Sequence, residues 1–176
     1  HDHPEVAYVL YARAHPARWR WLYGVEYDVA YSGNFSNFVR AHATARPDTD
    51  LLAYQVGWRE PGCWHWTRMS AEAKRYVRDA TAALYGPLVR YSNRLLLHLG
   101  RSYDRGLVGY CEVIQASLCN ATPWCTLANF SHERVAPTYE FAPTMTFATF
   151  EALAPLLPER AFHPVKPTSS KESKVQ

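Results

Sequence analysis

The sequence predicts a mainly β fold, a sandwich of two sheets with a helical segment inserted midway. Three observations lead there. Aromatic and branched residues alternate with polar ones over residues 19–31 and again over 138–146, the period of a half-buried strand. Turn-forming clusters such as Ser32-Gly33-Asn34, Arg46-Pro47-Asp48 and Glu60-Pro61-Gly62 cut the chain into short segments. About seven or eight strands, with helices confined to the middle, fit a sandwich better than a helical or α/β protein.

Each element has its own argument. Residues 6–13 are apolar on both faces and suit a buried strand, ended by His15-Pro16 because proline cannot donate to a ladder. Trp19, Trp21, Tyr23, Val25, Tyr27, Val29 and Tyr31 give the cleanest period of two, and hence a strand. Residues 37–45 fit a short strand or a helical turn equally well. Residues 51–58 and 63–69 read as strands. At Ser70 the period changes: its hydroxyl can cap a helix whose apolar stripe is Ala73, Val77, Ala80 and Leu84. Gly86-Pro87 kinks that helix, and a second part, residues 88–99, stops at Gly100. Residues 107–118 and 124–130 return to strand and form a cysteine-bearing hairpin. Residues 138–146 form an edge strand, since prolines interrupt them. Thr149 caps a short helix running to Leu153.

The 176 residues suit one domain, placed at 1–163, and 48% hydrophobic content supplies a core. A net charge of +3 is too weak to point to nucleic acid. Apolar runs are too short for a membrane span. Residues 164–176, rich in Pro, Ser and Lys, read as a flexible juxtamembrane stalk before a removed membrane anchor. The start at His1-Asp2-His3, without Met, fits a mature N-terminus after removal of a signal peptide.

Cysteine usage and sequons point to an oxidising, glycosylating lumen. Four cysteines, Cys63, Cys111, Cys119 and Cys125, are an even number, and Asn34, Asn120 and Asn129 each head an Asn-x-Ser/Thr sequon. Four cysteines allow three pairings. Cys119 could staple to Cys125 across the hairpin, and Cys63 would then join Cys111. Zinc is the rival use of cysteine, but Cys-x-x-Cys spacing is missing, so neither a metal site nor a cofactor is expected. Catalytic motifs are missing too: the chain has no Gly-x-Ser-x-Gly, no His-Glu-x-x-His and no phosphate-cradling glycine loop. His65, among tryptophans, is the one candidate base. These observations favour a binding module over a secreted hydrolase or a structural envelope or adhesion ectodomain. Its candidate contact residues are Trp58 and the basic face Arg75, Arg78, Arg90 and Arg94, with Trp64, Trp66 and Tyr103 beside them.

Trp64 and Trp66 beside Cys63, and Tyr110 one residue before Cys111, imitate in part the disulfide surroundings of an immunoglobulin domain. The expected fold is therefore an atypical immunoglobulin-like sandwich. Its layout across residues 1–165, with the four cysteines and the polar stalk, resembles the murine cytomegalovirus family of immune-evasion glycoproteins. That resemblance implies a single-pass membrane glycoprotein of the endoplasmic reticulum and cell surface. It also implies a partner: host class I MHC (heavy chain with β2-microglobulin) or a natural-killer-cell receptor. The alternative fold is a truncated MHC-like α+β platform, in which strands up to Met69 precede a long kinked helix; its second half is too short here.

Overall fold

The computed structural model describes residues 4–16, 18–58, 65–140 and 142–167. Among the described residues helix accounts for 43% and strand for 23%, in small mixed sheets, so the protein is α+β. This overturns the expected mainly β, immunoglobulin-like sandwich. In chain order the elements are α1 (Glu5–Ala14), β1 (Trp21–Val25), β2 (Ala30–Tyr31), α2 (Phe35–Ala45), β3 (Leu51–Trp58), α3 (Ala71–Val77) and β4 (Ala82–Ser92). There follow α4 (Asn93–Asp104), α5 (Cys111–Asn120), β5 (Leu127–Asn129), β6 (Met145–Thr146), α6 (Phe147–Leu153), β7 (Ala161–Phe162) and β8 (Val165–Lys166). The MHC-like platform shares the α+β class but not this order, since α1 and α2 both precede β3.

The stretch read as one body, 1–163, divides into two compact units. One is drawn from His1–Gly24 and Asp48–Asn129, the other from Val25–Pro47 and Phe130–Gln176. The first unit holds a four-stranded sheet in the order β1-β4-β3-β5, with β4 antiparallel and β5 parallel to β3. Its core gathers Val9 and Ala12 of α1, Leu51 and Ala53 of β3, Leu95, Leu96 and Leu99 of α4, and Val113, Ile114 and Leu118 of α5. A Cβ on Gly100 would stand 2.8 Å from Val9 Cγ1, so this glycine lets α1 approach α4, and the helix runs on to Asp104 instead of stopping there.

Three segments change class for identifiable reasons. Residues 6–13 are helical: Glu5, Val9 and Ala12 form the buried stripe, while Val6, Leu10 and Tyr11 are exposed apolar residues that disguised it. Residues 107–118, expected as strand, hold the helix α5 from Cys111 onward. It is buried from Val113 to Cys119, and its polar members are satisfied there: Gln115 Oε1 accepts from the Tyr91 hydroxyl, and Ser117 Oγ pairs with the backbone of Ala82. The reverse error falls on residues 82–92, read as helix. They form the sheet's long strand, and two steps on β3 (Leu52 to Tyr54) face five on β4 (Arg90 to Tyr85). Gly86 and Pro87 lie in that bulge, where a residue lacking N–H is tolerated, and Gly86 N donates to Glu112 Oε1 at 2.9 Å.

The remaining elements are closer to expectation. β3 has the expected bounds, and α3 is capped by Ser70, whose Oγ accepts from Ala73 N. The 19–31 alternation splits into β1 and β2 around a turn in which Val29 N donates to the Glu26 carbonyl. Of the strand expected at 63–69, Trp66–Arg68 form a single 3₁₀ turn, and Cys63 and Trp64 lie outside the described residues. The second unit has two small sheets, antiparallel β2-β7 and parallel β6-β8. Its aromatic cluster packs Phe38 of α2 against Phe130 and the buried His42. α6 is capped by Thr146 and not by Thr149. The 138–146 strand shrinks to β6, and Phe141 lies outside the described residues. Val165 and Lys166, within the stretch read as stalk, form β8; residues 168–176 lie outside the described residues.

Candidate functional site

Cys119 at the end of α5 is bonded to Cys125, with Cα atoms 5.2 Å apart. The bridge ties a helix end to the loop before β5, where a strand hairpin was expected. The proposed partner of Cys111, Cys63, lies outside the described residues.

All three sequon asparagines are exposed. Asn34 caps α2, its Oδ1 accepting from Ser36 N at 3.0 Å. Asn120 donates from Nδ2 to the Ala80 carbonyl at 2.9 Å. The Asn129 side chain pairs with the backbone of Val56 in both directions, at 2.6 and 3.4 Å, extending the β3-β5 ladder sideways.

The guessed contact residues scatter. Arg90 is fully buried on β4: it donates to the Thr49 carbonyl at 3.0 Å and lies over the Trp21 ring at 4.7 Å. It therefore belongs to no surface. Arg94 is exposed but committed, forking onto Asp50 at 2.6 and 2.7 Å and lying over Trp124. The side chain of Trp58 lies outside the described residues. Arg75, in the last turn of α3, and Arg78, at positive φ just past its end, are exposed.

Trp66 and Arg75, both named above as contact candidates, belong to a wider group of basic and aromatic residues on and near α3, grouped here as one candidate face. Lys74 lies over Trp66 at 5.8 Å, Arg68 over Tyr110 at 5.2 Å, and Arg105 over the exposed Tyr76 at 5.7 Å. Arginine interleaved with aromatics at a surface is the composition of binding interfaces. The visible signal was the mixture of Trp, Arg, Lys and Tyr over residues 66–76, read instead as strand and solvated helix. His65 adjoins this face. It stacks on Tyr110 at 4.2 Å, and its Nε2 lies 4.0 Å from Glu112 Oε2. Burial, with Arg68 adding to it, pushes the imidazole below its ordinary range and favours the neutral ring.

In the second unit an open groove of about 580 Å³ is lined by Asn37, Arg40, Thr44, Arg134 and Glu159. Glu159 accepts from Asn37 Nδ2, the Tyr31 hydroxyl and Asn34 N, and Arg134 lies 3.6 Å away. Those hydrogen bonds, Asn37 first, hold its carboxyl below the usual range. Burial and then Glu159 push Tyr31 up to about 12. Arg134 is thus paired with Glu159, and Arg40 donates to Asn37 Oδ1 at 3.4 Å. Also in this unit, Glu26, Asp28 and His163 bring their donor atoms within 4.8 Å of one another.

No protein-family model matches the chain, and no curated protein matches it.

Proposed function

We propose that the chain is the extracytoplasmic part of a glycosylated, disulfide-stabilised protein that acts by binding another protein. The observation that carries this reading is the exposure of all three sequon asparagines on a body stapled by Cys119–Cys125. The Arg68/Arg75/Arg105 face with Trp66 and Tyr76 is the surface we assign to the contact. The specific form of the proposal is a viral immune-evasion glycoprotein of the endoplasmic reticulum and cell surface. Its partner would be host class I MHC or a natural-killer-cell receptor. That partner comes from the family resemblance, from which the α+β fold removes the immunoglobulin-like element.

The test is co-precipitation from cells expressing the secreted, tagged chain, with mass spectrometry of what is bound. Enrichment of class I heavy chain with β2-microglobulin, or of a natural-killer receptor, supports the proposal; reproducible absence of both sinks the partner assignment. Glycosidase treatment and peptide mapping test the compartment independently. A hydrolase is favoured by one observation, the 4.0 Å approach of His65 to Glu112. Hydrolytic activity lost in His65→Ala would replace the binding reading.

A further inference from the structure

Asp28 and His163 are both buried, 5% and 6% exposed, in a unit whose aromatic and aliphatic core leaves little room for charge. His163 Nδ1 lies 3.2 Å from the Glu140 carbonyl, which can only accept, so Nδ1 carries the hydrogen. In the neutral ring the lone pair is therefore on Nε2. That atom stands 3.4 Å from Asp28 Oδ1 and 3.9 Å from Glu26 Oε2. Asp28 Oδ1 is itself buried and, among the described residues, accepts no hydrogen bond. A lone pair facing two carboxylate oxygens repels them unless a positive charge lies between. An Nδ1–H held by a backbone carbonyl, with Nε2 turned toward carboxylates, is also how metal-binding histidines are oriented.

We propose that Glu26, Asp28 and His163 form a binding site for one divalent cation of the zinc class. Zinc held at about 2.0–2.2 Å by nitrogen and oxygen in a tetrahedron sets its ligand atoms about 3.4 Å apart. The Asp28–His163 separation already has that value. Glu26, whose side chain is 47% exposed, stands 3.9 Å from His163 Nε2 and within 4.8 Å of Asp28, and has to swing inward to complete the set. The rival cation is the Lys166 ammonium, 3.4 Å from the other oxygen, Asp28 Oδ2. It leaves Oδ1 to the ion but weakens the site by its charge.

The experiment is calorimetric titration of the full chain with zinc chloride after chelator treatment, with cobalt(II) absorption as a second readout. His1 and His3 could bind metal on their own, so the paired variant His1→Ala/His3→Ala is run alongside. We expect one saturable site that survives in that paired variant. It should be lost in Asp28→Asn and His163→Gln and weakened in Glu26→Gln by at least the roughly 10–100-fold that loss of a group orienting a ligand costs. Lys166→Met should tighten binding about tenfold, since an adjacent positive charge is removed. If His163→Gln does not fold, the exposed Glu26 and the half-buried Lys166 still decide. Failure of the wild type to bind saturably up to millimolar zinc overturns the proposal. So does binding that vanishes with His1 and His3, or that ignores both Glu26→Gln and Lys166→Met.

Discussion

Asp50 in the first unit and Asp28 in the second are both buried aspartates, and they are treated oppositely. Asp50, 1% exposed, takes the Ser92 hydroxyl and Arg94 Nε on one oxygen, and Arg94 Nη2 with the Thr126 amide and hydroxyl on the other. It joins the start of β3, the N-cap of α4 and the loop beside the disulfide. Asp28, 5% exposed, has a lysine at 3.4 Å on one oxygen and a histidine at 3.4 Å on the other, with no hydrogen bond to Oδ1 among the described residues. A buried carboxylate with every lone pair engaged fixes structure, whereas one with an unengaged oxygen keeps capacity for a ligand.

The largest expected effect tests the first half of this contrast. Arg94→Met leaves the Asp50 charge buried without its cation and should cost about 3–5 kcal/mol, read by urea denaturation at pH 7. Burial, the largest single influence, raises the Asp50 pKa, but hydrogen bonds from Arg94, Ser92 and Thr126 together hold it below the ordinary value. A depressed folded-state pKa stabilises above the unfolded value of about 3.9 and is lost as pH falls through the folded one. The gap between wild type and Arg94→Met should therefore shrink below about pH 4. A gap that widens in acid would mean Asp50 is not the group involved. Removing the staple with Cys119→Ser/Cys125→Ser comes next, at about 2 kcal/mol for so short a loop. The second half of the contrast predicts less: in chelator, Asp28→Asn should cost under about 1 kcal/mol, since only weak pairs are lost. A cost matching that of Arg94→Met would break the comparison.

What the sequence made legible was local. β3, the Ser70 cap and the Cys119–Cys125 bridge follow from turn clusters on either side, a capping side chain and a six-residue spacing. The sequons are motifs by definition. What it hid was set by packing. Nothing within residues 107–118 says that α5 is enclosed on every side, and nothing within 82–92 says that Glu112 serves the amide at Gly86. Arg90 looked like part of a helix face because its partners, Thr49 and Trp21, are distant in the chain. The cation site was illegible for the same reason, as Asp28 and His163 share no motif and are brought together only where β8 adjoins the turn after β1.

The smallest expected effect bears on function. Arg75 pairs with Glu72 one turn back on α3, but both are well exposed, at 76% and 54% of the side chain. Such a pair contributes roughly 0–0.5 kcal/mol because water and salt screen it and two long side chains must be held still. Arg75→Ala should leave the denaturation midpoint unchanged within error. That silence makes it useful where Arg94 is not: a loss of partner binding in Arg94→Met is confounded by the broken Asp50 cluster. A loss in Arg75→Ala, or in Arg68→Ala beside it, reports the surface itself. If both variants bind the co-precipitated partner as the wild type does, the Arg–aromatic face of the first unit is not the contact. The arginine-lined groove of the second unit then takes its place, with Arg40→Ala the variant to measure.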